Sequence, residues 1–309
     1  MEKKDFDVII IGGGPGGLAA AYWAVDLGLT ALVIEQAAEP GGQLLRTFNR
    51  IDNYLGAEAA NGRELRDIFL RQIEKKNVDL RCGSVVESVN LIEKTVVMAG
   101  GERFLARAIV IATGVRRREL GIPGEAEFRG RGILESGEKC KNDVAGKRVL
   151  IVGGGDAALE NALILATTAN KVFIVHRRNE FRARSEFVQG SVNEEKIEII
   201  LNTAATAIIG NETVEAVDLE NVLTGELSRI SVDAILIRVG EAPNTDLFQG
   251  QIDIDAAGFV CVNHACSTSL PEVFAIGDVA NPLAPTISSA VGMGATAAKM
   301  ATNIRSRKP

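Results

Sequence analysis

The sequence predicts an α/β chain of two βαβ units, the second inserted into the first. Three observations predict it. The stretch VIIIGGGPGGLAAA at 8–21 returns at an offset of 141 residues as VLIVGGGDAALENA at 149–162. Each copy is an apolar run, a glycine turn and a small-residue helix start, and a second apolar run follows each, ALVIEQ at 31–36 and KVFIVHRR at 171–178. Two further apolar runs ending in glycine, AIVIATGV at 108–115 and EVFAIGDV at 272–279, lie on either side of the second copy. The first unit therefore reads as discontinuous, 1–116 with 245–309, and the second as 117–244. The junctions GVRRRELGIPG (114–124) and GEAPNTD (240–246) are rich in glycine, proline and charge, as linkers are. The run Arg116-Arg117-Arg118 is most simply a solvated face of such a linker.

The glycines at 12, 14 and 17, and at 153 and 155 with Ala158 in third place, have separate tasks in a dinucleotide site. The first permits a tight turn, the second lets the backbone approach a pyrophosphate, and the third lets helix and strand pack closely. Pro15, within the first turn, is counted with these glycines as a cofactor-binding candidate. The helix N-terminus then offers N–H groups and partial positive charge to phosphate. Both domains are thus expected to be Rossmann-like dinucleotide-binding domains.

The two copies differ at the end of the second strand. Glu35 and His176 each follow the first glycine of their turn by 23 residues. A carboxylate there, with Gln36 beside it, suits the hydroxyls of an unphosphorylated ribose. His176, Arg177 and Arg178, with Arg182 following, suit a 2′-phosphate, which guanidinium forks bind in bidentate fashion. The first site is assigned to FAD and the second to NADPH. Thr113-Gly114 and Gly277-Asp278 end the two flanking strands, and the Asp278 carboxylate could accept hydrogen bonds from a flavin polyol. The stretch 285–304 reads as a helix with a small-residue face, its N-terminus at Thr286-Ile287 able to stabilise negative charge on a reduced flavin.

Bulk properties narrow the function classes. The 309 residues carry a net charge of −6, which argues against nucleic acid as a general partner. The four cysteines do not make a secreted disulfide framework, so a reducing, cytoplasmic compartment is expected. The uncharged run 8–25 is long enough to raise the question of a membrane span. Its five glycines and one proline in ten residues are better explained by strand, turn and helix. No metal-ligand constellation is evident.

The chain resembles the low-molecular-weight bacterial thioredoxin reductases over nearly its whole length. The matching words are GGGPGGLAAA, EPGGQL (39–44), ATG (112–114), IPGE (122–125), VGGGDAALENA, HRRNEFRA (176–183), GEAPNT (240–245) and VFAIGDV (273–279). The resemblance implies a pyridine nucleotide-disulfide oxidoreductase that uses FAD and NADPH. It implies a homodimer whose NADPH domain swivels. It places Gly42, Gln43, Leu44 and Asn53 along the flavin. Val85 completes the FAD candidates, and Asp156, Ala157 and Gly240 those for NADPH.

One departure matters for function. The family carries Cys-x-x-Cys followed by Asp just before the second glycine turn. Aligned between Gly130 and Val149, the two cysteine positions here are Ser136 and Lys139, and the aspartate position is Cys140. A dithiol relay needs one sulfur to attack a disulfide and a second to resolve the intermediate. The expectation is an NADPH-dependent flavoenzyme that passes electrons directly to an external acceptor: ferredoxin, flavodoxin, a quinone or a small molecule. Ferredoxin–NADP reductases built on this scaffold usually carry a C-terminal extension capping the flavin, whereas this sequence closes on NIRSRKP, so membership of that group is not expected.

Alternatives stay open. Cys140, between Lys139 and Lys141 whose ammonium groups would favour a thiolate, could act alone on a disulfide; otherwise it is a semi-exposed spectator. Cys261 and Cys266, in CVNHAC, could form a displaced redox pair, though an extended segment would hold them roughly 16 Å apart, beyond disulfide reach. His264 could be an acid or a solvated connector residue, and Cys82 reads as packing. The protein could also be a non-catalytic flavin-binding regulator, or its second site could hold another ligand.

Overall fold

The structure is a computed structural model and describes residues 4–303. Contacts divide the chain into two compact units. Arg117–Glu241 forms one; the chain up to Arg116 and from Ala242 onward forms the other. The second crossing thus falls at 241/242 rather than at 244/245.

In the discontinuous unit, five parallel strands run in the order Asp79–Arg81, Ala31–Ile34, Lys4–Ile11, Arg103–Ile111, Val273–Ala275. Strands Thr95–Met98 and Val86–Asn90 add an antiparallel pair beside the first half of Arg103–Ile111. The register sets Ile10 beside both Val33 and Val110. Successive strand residues point to opposite faces. Ile9, Ile11, Leu32, Ile34, Ile109 and Ile111 therefore fill one core. Val8, Ile10, Val33, Ala108 and Val110 fill another, against helices Pro15–Asp26 and Ile287–Thr302. Strands buried on both faces need continuous apolar runs, which is why 8–11 and 108–111 read that way.

The two helices approach closely because their facing residues are small. A methyl group on Gly294 would lie 2.5 Å from the Gly16 carbonyl oxygen. The uncharged run 8–25 is divided between a strand and a helix, and among the described residues no helix is long and apolar enough to cross a membrane. The IRSRKP end of the sequence lies outside the described residues.

The second unit has a parallel sheet in the order Ile197–Ile200, Lys171–Val175, Arg148–Gly153, Ala234–Arg238. Val149, Ile151, Val172 and Ile174 face helix Asp156–Ala166. Leu150, Val152 and Val175 face a three-stranded antiparallel sheet formed by Thr203–Gly210, Val214–Asn221 and Leu227–Ser231. Helix Ser185–Asn193 completes the unit.

Candidate functional site

At the first glycine turn, several segments of the discontinuous unit converge. Gly12 has φ +112°, and a methyl group there would lie 2.3 Å from the Ala112 carbonyl oxygen; one on Gly17 would lie 1.9 Å from the Gly12 carbonyl oxygen. These positions need glycine because strand, turn and helix touch. Gly13 N–H donates to Glu35 Oε2 at 2.7 Å, and Ala37 N–H donates to Glu35 Oε1 at 2.8 Å. Glu35 is 8% exposed, and each of its oxygens keeps a lone pair for a hydroxyl. Ser84 N–H donates to the Glu35 carbonyl, which brings the 52%-exposed apolar Val85 alongside, next to exposed Gln36.

Gly41 N–H donates to Gly13 O, so Gly42, Gln43 and Leu44 enter beside the turn. Gln43 Nε2 donates to Val115 O at 3.0 Å. Thr113 is committed to the protein, its hydroxyl donating to Asn244 O at 2.7 Å while its carbonyl accepts from Asn244 Nδ2. Gly114 and Gly277 have positive φ, and a methyl group on Gly114 would meet nothing within 4 Å. Burial pushes the Asp278 carboxyl up, and it makes no hydrogen bond among the described residues. Thr286 caps helix Ile287–Thr302 by accepting from Ser289 N–H. Asn53 sits exposed in a loop. A touching glycine turn, an acidic ribose partner and a half-buried Asp278 carboxylate open to a ligand's hydroxyls fit a dinucleotide with a polyol arm such as FAD.

The second turn repeats the plan with a different rim. Gly153 has φ +154°, where a side chain would be strained, while Gly155 faces open space. The His176 ring lies over Gly154: a methyl group on that glycine would come within 2.4 Å of it. Its Nε2 is buried without a partner. Burial pushes the imidazole below its ordinary 6.5, although a backbone hydrogen bond to Glu180 opposes this; Arg178, Arg177 and Arg182 push the same way as burial. The basic segment is tied back over the turn. Arg182 N–H donates to Gly154 O at 2.8 Å, and Arg184 reaches Asp156 through both its N–H and its Nε, each at 2.8 Å. Sequence reasoning misses Arg184, although its place just beyond Arg182 in the same basic run is the available signal. Arg177, Arg178 and Arg182 are exposed and form no ion pair among the described residues. Ala157 lies in the first helical turn, and Gly240 has φ +97°. An orphaned imidazole nitrogen, an open glycine and three uncommitted cations fit a phosphorylated dinucleotide.

The thiols correct several sequence expectations. All four cysteines are free. Cys140 is buried at 8% exposure, not semi-exposed. The ammonium groups of Lys139 and Lys141 are held by Glu135 and Glu138, so neither is left to a thiolate. The segment 261–266 is not extended. Asn263 makes a tight turn, accepting from Cys266 N–H, with Cys266 at φ +60°. Cys261 is exposed; Cys266 is buried, its thiol pushed up to about 11 by burial. His264 is exposed in that turn. Burial, with Glu35 adding to it, raises the Cys82 thiol, as packing does. The arginine run is exposed at Arg116 and Arg118, as a solvated face is, and is also tethered: Arg116 pairs with Asp246 at 2.9 Å, Arg117 donates to Glu135 O and Arg118 to Glu241 O.

The pattern of the Pyridine nucleotide-disulphide oxidoreductase family matches residues 6–297. The chain belongs to that family. It is 36% identical over 305 residues to a thioredoxin reductase of Listeria innocua, covering 97% of this chain and 94% of that one. A 34.2 kDa protein in the rubredoxin operon of Clostridium pasteurianum is 30% identical, with 97% of each chain covered. The crystal structure of Lactococcus lactis thioredoxin reductase in its FR conformation superposes with a TM-score of 0.87 at 32% identity, covering 98% of this chain and 100% of that one. The protein is a thioredoxin reductase-like flavoprotein oxidoreductase, and its cofactors are FAD and NADPH.

Proposed function

We propose that this family member passes electrons from NADPH, through FAD, directly to an external acceptor, without a dithiol relay. The acceptor classes are ferredoxin or flavodoxin, a quinone, or a small molecule. What supports the reading is the state of the sulfurs: the resemblance puts the family's cysteine positions at Ser136 and Lys139, and Cys140, the one cysteine in 130–149, is buried. Bound FAD would supply a carrier that takes two electrons as hydride and releases them to the acceptor.

The chain's residues do the holding. Gly12, Gly14, Pro15 and Gly17 cradle the FAD pyrophosphate. Glu35, Gln36 and Val85 take its adenosine end. Gly42, Gln43, Leu44, Asn53, Thr113, Gly114, Gly277, Asp278, Thr286 and Ile287 line the rest. Gly153, Gly155, Asp156, Ala157 and Gly240 receive NADPH, and His176, Arg177, Arg178 and Arg182 its 2′-phosphate. A homodimer is part of this reading. The test is turnover of FAD-loaded protein in which Cys140, Cys261 and Cys266 are all serine. Unchanged NADPH-dependent reduction of a quinone is expected; a loss of tenfold or more, about 1.4 kcal/mol of barrier, would overturn the reading.

A second reading is favoured by the relatives, several of which are named thioredoxin reductases at about one-third identity over nearly the whole chain. Under it the protein reduces a thioredoxin-like disulfide, with Cys140, or Cys261 and Cys266, as the attacking thiol. The same variant, assayed with NADPH on a thioredoxin-like disulfide, distinguishes the two: disulfide reduction by wild type that the variant loses supports the second reading and overturns the first.

A further inference from the structure

Helix Gly62–Ile73 packs against the short turn Gly42–Arg46. Gly62 N–H donates to Thr47 O at 2.8 Å, and a methyl group on Gly62 would lie 2.0 Å from the Leu44 carbonyl oxygen. Just over one helical turn into the same helix, Arg66 reaches back to the residues that lead into this turn. Its side chain is only 12% exposed, and its Nη1 donates to Glu39 Oε2 at 2.6 Å. Arg63 Nη1 donates to Glu39 Oε1 at 2.7 Å, so each carboxylate oxygen is held by a different guanidinium. The Arg66 stem also touches the loop: a methyl group on Gly41, at φ +136°, would come within 2.9 Å of Arg66 Cγ.

On its other side the same loop touches the first glycine turn. Gly41 N–H donates to Gly13 O at 2.8 Å, and a methyl group on Gly42 would lie 3.0 Å from Gly14 Cα. Loop 41–44 is thus gripped between that turn and the helix, all within the discontinuous unit. A nearly buried guanidinium is costly unless a carboxylate joins it. Glu39 is that partner: its hydrogen bond with Arg66, ahead of the one with Arg63, holds the Glu39 carboxyl below its ordinary value, and the same bond holds Arg66 above its own. Asp67 Oδ1 approaches Arg66 Nε at 2.7 Å but out of line for a hydrogen bond. Among the described residues, then, the side-chain hydrogen bond of Arg66 goes to the residue that leads into the loop. The Arg63 side chain is 53% exposed, so its share of the grip is screened by solvent.

We propose that Arg66, acting through Glu39, is a positioning residue for FAD: the pair keeps loop 41–44 pressed onto the glycine turn and so sets how fast the flavin leaves. The inference rests on the reading that Gly42, Gln43 and Leu44 line the FAD site, and adds what holds them there. A loop ordered before binding spares the ligand the cost of ordering it. With the pair broken, part of that cost falls on each FAD that binds, and release becomes faster.

The experiment uses FAD-loaded full-length protein and follows flavin release by fluorescence after dilution. Arg66→Met, which keeps an apolar stem and removes the cation, should speed release about tenfold, the loss of a charged hydrogen bond. Glu39→Gln should act in the same direction, and serves should the first variant fail to fold. The double variant should release FAD no faster than the faster single variant, because the two residues act as one contact; effects that multiply would overturn the pair. Thermal unfolding separates positioning from general support. Arg66→Met should narrow the gap between the midpoints of FAD-loaded protein and apoprotein. Equal shifts of both midpoints with unchanged release overturn the proposal. Gly42→Ala, which crowds Gly14, tests the underlying reading by itself. If it leaves release unchanged, the loop is not at the FAD site, and the proposal falls with that reading. If it speeds release while Arg66→Met and Glu39→Gln do not, the reading stands and the positioning pair is overturned.

Discussion

Replacing Glu35 with Gln isolates the electrostatic part of the first site. The wild-type carboxylate accepts two backbone N–H groups, from Gly13 at 2.7 Å and Ala37 at 2.8 Å, in a place only 8% exposed. The amide of Gln offers one oxygen, so one N–H faces an NH₂ group and loses its acceptor. A hydrogen bond to a charged group contributes about 1.5–3 kcal/mol, and the same oxygen is the one expected to receive a ribose hydroxyl. The dissociation constant for FAD should rise about tenfold to hundredfold, at 1.4 kcal/mol per factor of ten. Glu35→Ala leaves both N–H groups unsatisfied and should do more. The assay is titration of the apoprotein with FAD, followed by quenching of flavin fluorescence. Affinity of the Gln variant within about twofold of wild type would refute the reasoning, because no charged contact would then be contributing.

Other substitutions probe the rest of the account. Gly17→Ala places a methyl group 1.9 Å from the Gly12 carbonyl oxygen; it should destabilise FAD-loaded protein by about 1–3 kcal/mol in thermal unfolding, and an unshifted midpoint would contradict the packing. In the native protein a thiol reagent should label Cys261 and spare Cys266, whose thiol burial pushes up to about 11; prompt labelling of Cys266 would contradict its burial. His176 is held below its ordinary 6.5, so the fold favours the neutral ring. The stability this gives is present above pH 6.5 and is lost as pH falls from there through the lowered folded value, since the unfolded chain binds the proton first. His176→Asn should flatten that part of the stability profile, and identical profiles would refute it.

Much of this was legible in the sequence because the physics is local. Glycines 12, 17 and 153 are dictated by contacts a methyl group could not survive, and apolar runs such as 108–111 by burial on both faces of a sheet. The FAD and NADPH assignments came from one residue type at one strand end, Glu35 against His176-Arg177-Arg178. What was not legible depended on partners distant in sequence or on local side-chain geometry. The lysines flanking Cys140 looked like thiolate stabilisers until Glu135 and Glu138 took them. CVNHAC looked extended until the Asn263 side chain closed a turn by accepting from Ala265 and Ser267 N–H. Arg66 drew no notice on a helix rich in charge, because its significance lies in meeting Glu39, 27 residues away.

The count of electrons the protein takes up tests the central claim most directly. FAD-loaded protein, titrated anaerobically with dithionite while the flavin band is followed, should be fully reduced by about two electrons per chain, the capacity of flavin alone. Reduction that needs about four electrons per chain would reveal a disulfide in exchange with the flavin, and would contradict direct transfer to the acceptor.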